Sequence, residues 1–171
     1  DDEGQTQYFH QERYNLVIDL IKERKHCIVA FNWKHERDAL IEQAEKEKLS
    51  YEVIDGSVPA EKRKDIVARF QAGQIRVLFC HPQSAGHGLT LTKATTAIWC
   101  SPTYNAEHFQ QFNRRIHRAS QTEKTETILI AAHKTWEEDV YAKLNGKLGK
   151  MENLLHILTG LQNANENTRT T

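Results

Sequence analysis

At 171 residues, with 39% hydrophobic and 27% charged residues, the chain has the make-up of one compact α/β domain with its own core. Its 23 basic side chains balance 23 acidic ones, so the basic excess that marks a stand-alone nucleic-acid binder is missing. No apolar run nears the ~20 residues that span a bilayer, so no membrane partner is expected. Cys27, Cys80 and Cys100 sit apart within apolar runs, pointing to buried free thiols in a reducing, cytoplasmic setting.

The chain opens on DDEGQTQY, polar, acidic and without an initiator methionine, so residues 1–9 read as a severed linker of a longer polypeptide. From Gln11 to Glu23, Tyr14, Val17, Leu20 and Ile21 recur on one helical stripe. CIVAFNW (Cys27–Trp33) is a buried strand, Lys34–Lys48 a surface helix and YEVI (Tyr51–Ile54) a second strand. Pro59 suits the first turn of a helix that runs to Phe70 and is stopped by Gly73. RVLFC (Arg76–Cys80) makes a third strand, and the glycine-bearing loop HPQSAGHGL follows it. TAIWCS (Thr96–Ser101) is the fourth strand, Asn105 caps a helix through about Arg118, and TILIAA (Thr127–Ala132) is the fifth strand. Thr135 and Glu138 form a capping box for the next helix. A last helix carries Met151, Leu154, Leu155, Leu158 and Leu161 on one face, and residues 162–171 are a disordered polar tail. The folded domain is therefore expected over residues 10–161.

Strands rich in Val, Ile and Leu that alternate with helices imply a mainly parallel sheet covered on both faces. Ligands of such sheets bind beyond the carboxyl ends of the strands.

QQFNRRIHRASQ (Gln110–Gln121) is the most informative segment. On a helix, Gln111, Arg115 and Arg118 fall within roughly 60° of one another, while Phe109, Phe112 and Ile116 form a stripe about 120° away. Two guanidinium forks in a row suit phosphate oxygens as lysine does not. Taken alone, the same residues also describe a solvated basic helix face.

The pattern of Gln111, Arg115, His117, Arg118 and Gln121 resembles motif VI of Swi/Snf-type motors of helicase superfamily 2, with Ala119–Ser120 replacing the usual aliphatic residue and glycine. The resemblance implies that Arg115 and Arg118 reach nucleotide phosphates across an interlobe cleft, that Gln111 fixes their geometry and that His117 organises them. An arginine finger of this kind is worth on the order of 10³–10⁵ in rate. QSAGHGLTLT (Gln83–Thr92) resembles motif V, with Thr90 in place of asparagine. Gly86 and Gly88 would let backbone N–H groups hold phosphate or ribose oxygens, though a tight turn also explains such a pair. DGSVPAEKRKDIVARF (Asp55–Phe70) resembles the segment preceding motif V, and Cys27–Leu40 resembles motif IV. Gly56, Ser57, Asn32 and Trp33, with Gln83 and Ser84, are the implied nucleic-acid contacts, while helix capping at Ser57 and packing of Trp33 remain equal readings.

No G-x-x-x-x-G-K-[ST] occurs, and no Asp-Glu pair at a strand end offers to hold Mg²⁺. His81, His87 and His117 lack partners at metal-ligand spacing, so no metal site is expected. The resemblance, from about Gln11 to Lys147, implies a RecA-like three-layer α/β/α domain with five or six strands. It implies the C-terminal lobe of an ATP-dependent DNA helicase or translocase, compact like viral or bacterial members. ATP with Mg²⁺ would be held mainly by an N-terminal RecA-like lobe, the DNA being double-stranded or branched rather than RNA, and this chain alone would be inactive. The rival readings are a degenerate, non-catalytic lobe serving as an interaction module and another nucleotide-binding α/β domain.

Overall fold

The computed structural model describes residues 2–86 and 88–148. Five strands, β1 (Cys27–Ala30), β2 (Tyr51–Ile54), β3 (Val77–Cys80), β4 (Thr96–Trp99) and β5 (Glu126–Leu129), alternate with helices. The helices are α1 (Asp2–Lys22), α2 (Lys34–Lys46), α3 (Ala60–Gln71), α4 (Ala106–Asn113) and α5 (Trp136–Leu148), with a short 3₁₀ turn at Ser84–Gly86. The strands form one sheet in the order β2-β3-β1-β4-β5, parallel throughout, with Cys27 of β1 opposite both Val77 and Thr96.

Each strand residue points to one face or the other, and the core divides accordingly. Ile28, Ala30, Leu78, Cys80, Ala97, Trp99 and Leu129 pack with Ile66 and Phe70 of α3, Phe109 and Phe112 of α4, and Tyr141 and Leu144 of α5. Val29, Val77, Phe79, Ile98 and Ile128 pack on the other face with Tyr14, Val17, Ile18 and Ile21 of α1 and Leu40 and Ala44 of α2. This is the expected three-layer α/β/α arrangement, with five strands. A fully buried Leu, Ile or Phe contributes about 1.5–3 kcal/mol, so the two clusters supply the main stabilisation. Among the described residues no helix is long and apolar enough to cross a membrane. All three cysteines are free and buried, and burial pushes the Cys27 and Cys80 thiols up to about 12.

Several boundaries differ from expectation for local reasons. α1 extends back to Asp2, beyond the expected start at Gln11 and into the segment read as a linker. β1 stops at Ala30 although the apolar run continues to Trp33. The Phe31 N–H still bonds the Cys80 carbonyl at 3.1 Å, but the Asn32 N–H turns to Glu36 Oε2 at 2.9 Å. Pro59 is the N-cap of α3 rather than its first turn. At the other end, Gly73 adopts φ +80°, and the N–H groups of Gly73 and Gln74 bond the carbonyls of Phe70 and Arg69, which closes the helix in a Schellman motif. The helix expected over Met151–Leu161 lies outside the described residues.

Arg13 clasps the first and last of these helices together. Its Nη1 and Nη2 donate to the Glu137 carboxylate at 2.9 and 2.8 Å, and Nη1 also donates to the Cys100 carbonyl at 2.9 Å. Burial works against the guanidinium charge, yet the hydrogen bonds and charge of Glu137 hold its pKa above the ordinary value.

Candidate functional site

The loops at the carboxyl ends of β1, β2, β3 and β4 gather the first set of candidate residues. β1 and β4 are neighbours whose following helices, α2 and α4, lie on opposite faces of the sheet, which makes their ends the topological switch point. Asn32 sits there, and its amide donates to the Ser101 carbonyl, the Ser101 hydroxyl and the Pro102 carbonyl at 2.9, 3.0 and 3.2 Å. The buried Glu36 completes the junction by accepting from the Ser101 hydroxyl at 2.6 Å. Asn32, expected to touch nucleic acid directly, thus joins two loops, while its neighbour Trp33 stands 57% exposed. Tyr104 and Trp136, passed over in the sequence, are also exposed and stack at 5.7 Å with planes 10° apart.

Gly56 and Ser57 follow β2, and Gln83 and Ser84 follow β3. A Cβ placed on Gly56 would lie 4.0 Å from Ser84 Oγ, so the two loops meet. Ser57 is engaged within its own turn, since Asp55 Oδ1 accepts both its N–H and its hydroxyl. Arg37 holds the other oxygen of Asp55 at 2.9 Å. Any phosphate at Ser57 must therefore compete with a carboxylate already in place. Gln83 is exposed.

The second set lies elsewhere. α4 carries the chain away from the carboxyl edge, so Arg115 and Arg118 sit well along the flank of the domain rather than beyond the strand ends. The helix expected to reach Arg118 stops at Asn113. Asn105 caps its start as expected, accepting from the His108 N–H at 3.0 Å. At its end, the Arg115 N–H bonds the Phe112 carbonyl three residues back. The Gln111 carbonyl, which a continuing helix would use, instead receives the Arg115 Nε at 3.0 Å. The Leu91 N–H then captures the Arg115 carbonyl at 3.0 Å, and residues 114–120 become a turn. Asn113 anchors this departure by accepting from the buried Trp99 Nε1 at 2.9 Å.

The turn and the glycine loop hold each other. Arg115 Nη1 and Arg118 Nη2 both reach the Leu89 carbonyl, at 3.5 and 3.1 Å. Leu89 follows Gly88, whose φ of +71° with nothing within 4 Å of a Cβ shows a conformational need for glycine, not a steric one. Gly86 ends the 3₁₀ turn that follows β3, and His87 lies outside the described residues. Gln111 acts on Arg115 through its backbone carbonyl, because its side-chain amide donates to Glu107 at 3.0 Å. His117 meets the Thr125 hydroxyl at 2.7 Å, and desolvation lowers its pKa from the ordinary value.

Around this turn opens a cleft of about 570 Å³ lined by Thr90, Arg114, Arg115, His117, Arg118 and Ser120. Arg115 is 6% exposed, and its pKa is lowered by burial and by the charges of Arg118 and Arg114. Arg118 is half-buried, its Nε has no partner among the described residues, and no carboxylate there pairs with it. Such a donor costs about 1–3 kcal/mol while unmet, so three like charges facing one cleft favour an anion. Arg114 and the Leu89 carbonyl were missed at the sequence level. The Arg114–Arg115 doublet was the available signal for the first, and nothing in the sequence marks a backbone acceptor.

The sequence profile of the helicase conserved C-terminal domain matches residues 12–120. Chromodomain-helicase-DNA-binding protein 1-like of Mus musculus is 32% identical over 124 residues, 72% of this chain and 14% of that protein. DNA annealing helicase and endonuclease ZRANB3 of Bos taurus is 33% identical over 110 residues, 64% of this chain and 10% of that protein. The chain thus spans only a small part of the curated relatives it matches. The crystal structure of the C-terminal part of the Fun30 ATPase domain shares its fold, with a TM-score of 0.70 at 18% identity over 84% of this chain and 47% of that chain.

Proposed function

Because the chain belongs to the helicase conserved C-terminal domain family, with relatives of the Swi/Snf type, we propose that it is the second lobe of an ATP-driven DNA translocase or helicase. In this reading Arg115 and Arg118 are arginine fingers for a nucleotide shared with an N-terminal RecA-like lobe. The observation that carries it is Arg118, a half-buried guanidinium whose Nε lacks a partner and which meets no carboxylate among the described residues. Bound ATP supplies the phosphoryl group that passes to water. Arg115 and Arg118 would exchange the neutral Leu89 carbonyl for phosphate oxygens and stabilise the charge that develops on them. Gln111 would hold Arg115 through its carbonyl, His117 would hold the turn through Thr125, and the Gly86–Gly88 loop would present backbone N–H groups.

No carboxylate lines the arginine cleft, so Mg²⁺ would be held by the first lobe, and this chain alone would not turn over ATP. The carboxyl-edge loops, with Trp33, Gly56, Ser57, Gln83 and Ser84 presented and Asn32 bracing them, would form part of a track for double-stranded or branched DNA. The test is DNA-stimulated ATP hydrolysis by the full parent polypeptide, wild type against Arg118→Ala. Turnover should fall on the order of 10³-fold with ATP binding retained. Intact turnover would replace this reading with that of a non-catalytic interaction module.

A further inference from the structure

A second cleft, of about 830 Å³, opens at the opposite, amino-terminal edge of the sheet. It is walled by the residues that lead into three strands: Lys25 and His26 before β1, Thr95 before β4, and Lys124 and Thr125 before β5. The chain is neutral overall, but charge is segregated here. Lys25, Lys93 and Lys124 are exposed, and none forms a salt bridge among the described residues, although the charge of Lys124 is felt by Glu126. Of the two acids in the wall, Glu126 is occupied by Arg24 and by the Thr96 hydroxyl. That leaves Glu123 as the one acid of the wall outside an ion pair.

The walls are fixed before any ligand arrives. Gln71 of α3 accepts from the Lys93 N–H at 2.8 Å and donates to the Thr92 hydroxyl at 3.1 Å. The Gln121 amide donates to the carbonyls of Thr92, Ala94 and Ile116 at 3.0–3.1 Å. The bare Gly73 lets the Lys93 and His26 side chains converge, for a Cβ there would meet Lys93 Nζ at 3.7 Å and His26 Nε2 at 4.0 Å. His26 Nδ1 is tied to the Ile75 carbonyl at 3.1 Å, which fixes its ring in the wall.

We propose that this amino-edge cleft is a docking site for an acidic polypeptide segment, read by Lys25, Lys93 and Lys124. Two features favour carboxylates over phosphates. The cations are lysine point charges on three separate segments, whereas the only guanidinium in the wall, Arg24, is already paired, and forked phosphate recognition calls for free arginine. Glu123 on the rim and Glu126 in the wall would also repel a polyphosphate more than a peptide whose amides and spaced carboxylates can avoid them. The site stands apart from the arginine cleft, although Ser120 lines both, and it does not depend on the motor reading.

The experiment is a fluorescence-anisotropy titration of a fluorescein-labelled oligoglutamate peptide with the full chain. Saturable binding is expected, weakened at least about tenfold by the pair Lys93→Glu and Lys124→Glu and unchanged by Arg118→Ala. Should the doubly reversed chain fail to fold, Lys124→Gln alone, at an exposed position, should weaken binding about threefold. Absence of binding, or binding indifferent to these lysines, overturns the proposal. So does labelled duplex DNA or pyrophosphate that binds as well as the peptide and loses affinity with the same substitutions, which would make the site a phosphate site.

Discussion

Replacing Arg13 by methionine removes a charge but keeps an apolar side chain of similar reach. In the folded protein Arg13 makes three charge-assisted hydrogen bonds, at 2.8–2.9 Å, two of them to a carboxylate and one to the Cys100 carbonyl. Both ionic side chains are only 10% exposed, so water cannot replace what is lost. Glu137 would keep only part of its shell, chiefly the Ala132 N–H at 2.9 Å. Breaking one side of such a buried pair costs about 3–5 kcal/mol, and a domain of this size loses about 2–4 °C in melting temperature per kcal/mol. Urea unfolding followed by circular dichroism should show that loss, with a melting temperature lower by about 10 °C. Arg13→Met combined with Glu137→Met should recover much of the stability, because an apolar pair removes the stranded charge. A single substitution costing less than about 1 kcal/mol, the range of a solvated surface pair, would refute the reasoning, as would a double variant weaker than the single one.

Asn113→Ala should cost about 1–3 kcal/mol in the same unfolding assay, since it strands the buried Trp99 N–H. It should also lengthen or fray the end of α4, visible in amide exchange across residues 113–116. Gly88→Ala should lose about 1–2 kcal/mol from the left-handed conformation alone, while Gly88→Asn, which tolerates that region, should lose less. Glu126 has its pKa lowered, first by the hydrogen bond from Arg24 and then, against the cost of desolvation, by Thr96 and nearby charge. A carboxylate with a depressed folded pKa contributes stability above its unfolded pKa of about 4.3 and loses it as pH falls through the folded value. Wild type should therefore exceed Glu126→Gln modestly at neutral pH, and a melting series should show the gap closing in acid. A gap that does not narrow as pH falls below the unfolded pKa would contradict the assignment.

The sheet was legible because each strand carries its own signal. YEVI appears with the boundaries read from the sequence, and CIVA and TAIW were recognisable as β-branched or apolar runs long enough to be buried. Their ends were not legible, since the apolar run through Phe31 and Trp33 continues past the point where Glu36 captures the Asn32 N–H. The arginine segment shows the same limit more sharply. Its 3.6-residue periodicity describes a helix to Arg118, but the Arg115 side chain takes the carbonyl that would extend it, and Leu91 fixes the turn from a distant loop. Residue identity revealed which groups seek an anion, and tertiary hydrogen bonds decided where they stand. The Arg13–Glu137 pair spans 124 positions, and the amino-edge cleft is assembled from the starts of three strands, so neither leaves a local pattern to read.

The position of β1 bears on how the sheet can come together. Only two neighbouring pairs, β2–β3 and β4–β5, join strands that follow each other in the chain; within the sheet, only β1 hydrogen-bonds to both of the halves they make. Of the five strands, the earliest in chain order is thus the seam of the finished sheet, and its CIVA backbone must wait for partners at Val77–Cys80 and Thr96–Trp99. No hairpin can shelter it meanwhile, because every pairing is parallel and needs a long crossover. Closing such loops before any contact rewards them slows folding. A four-residue apolar strand with two open edges is, during that interval, open to pairing with a copy of itself.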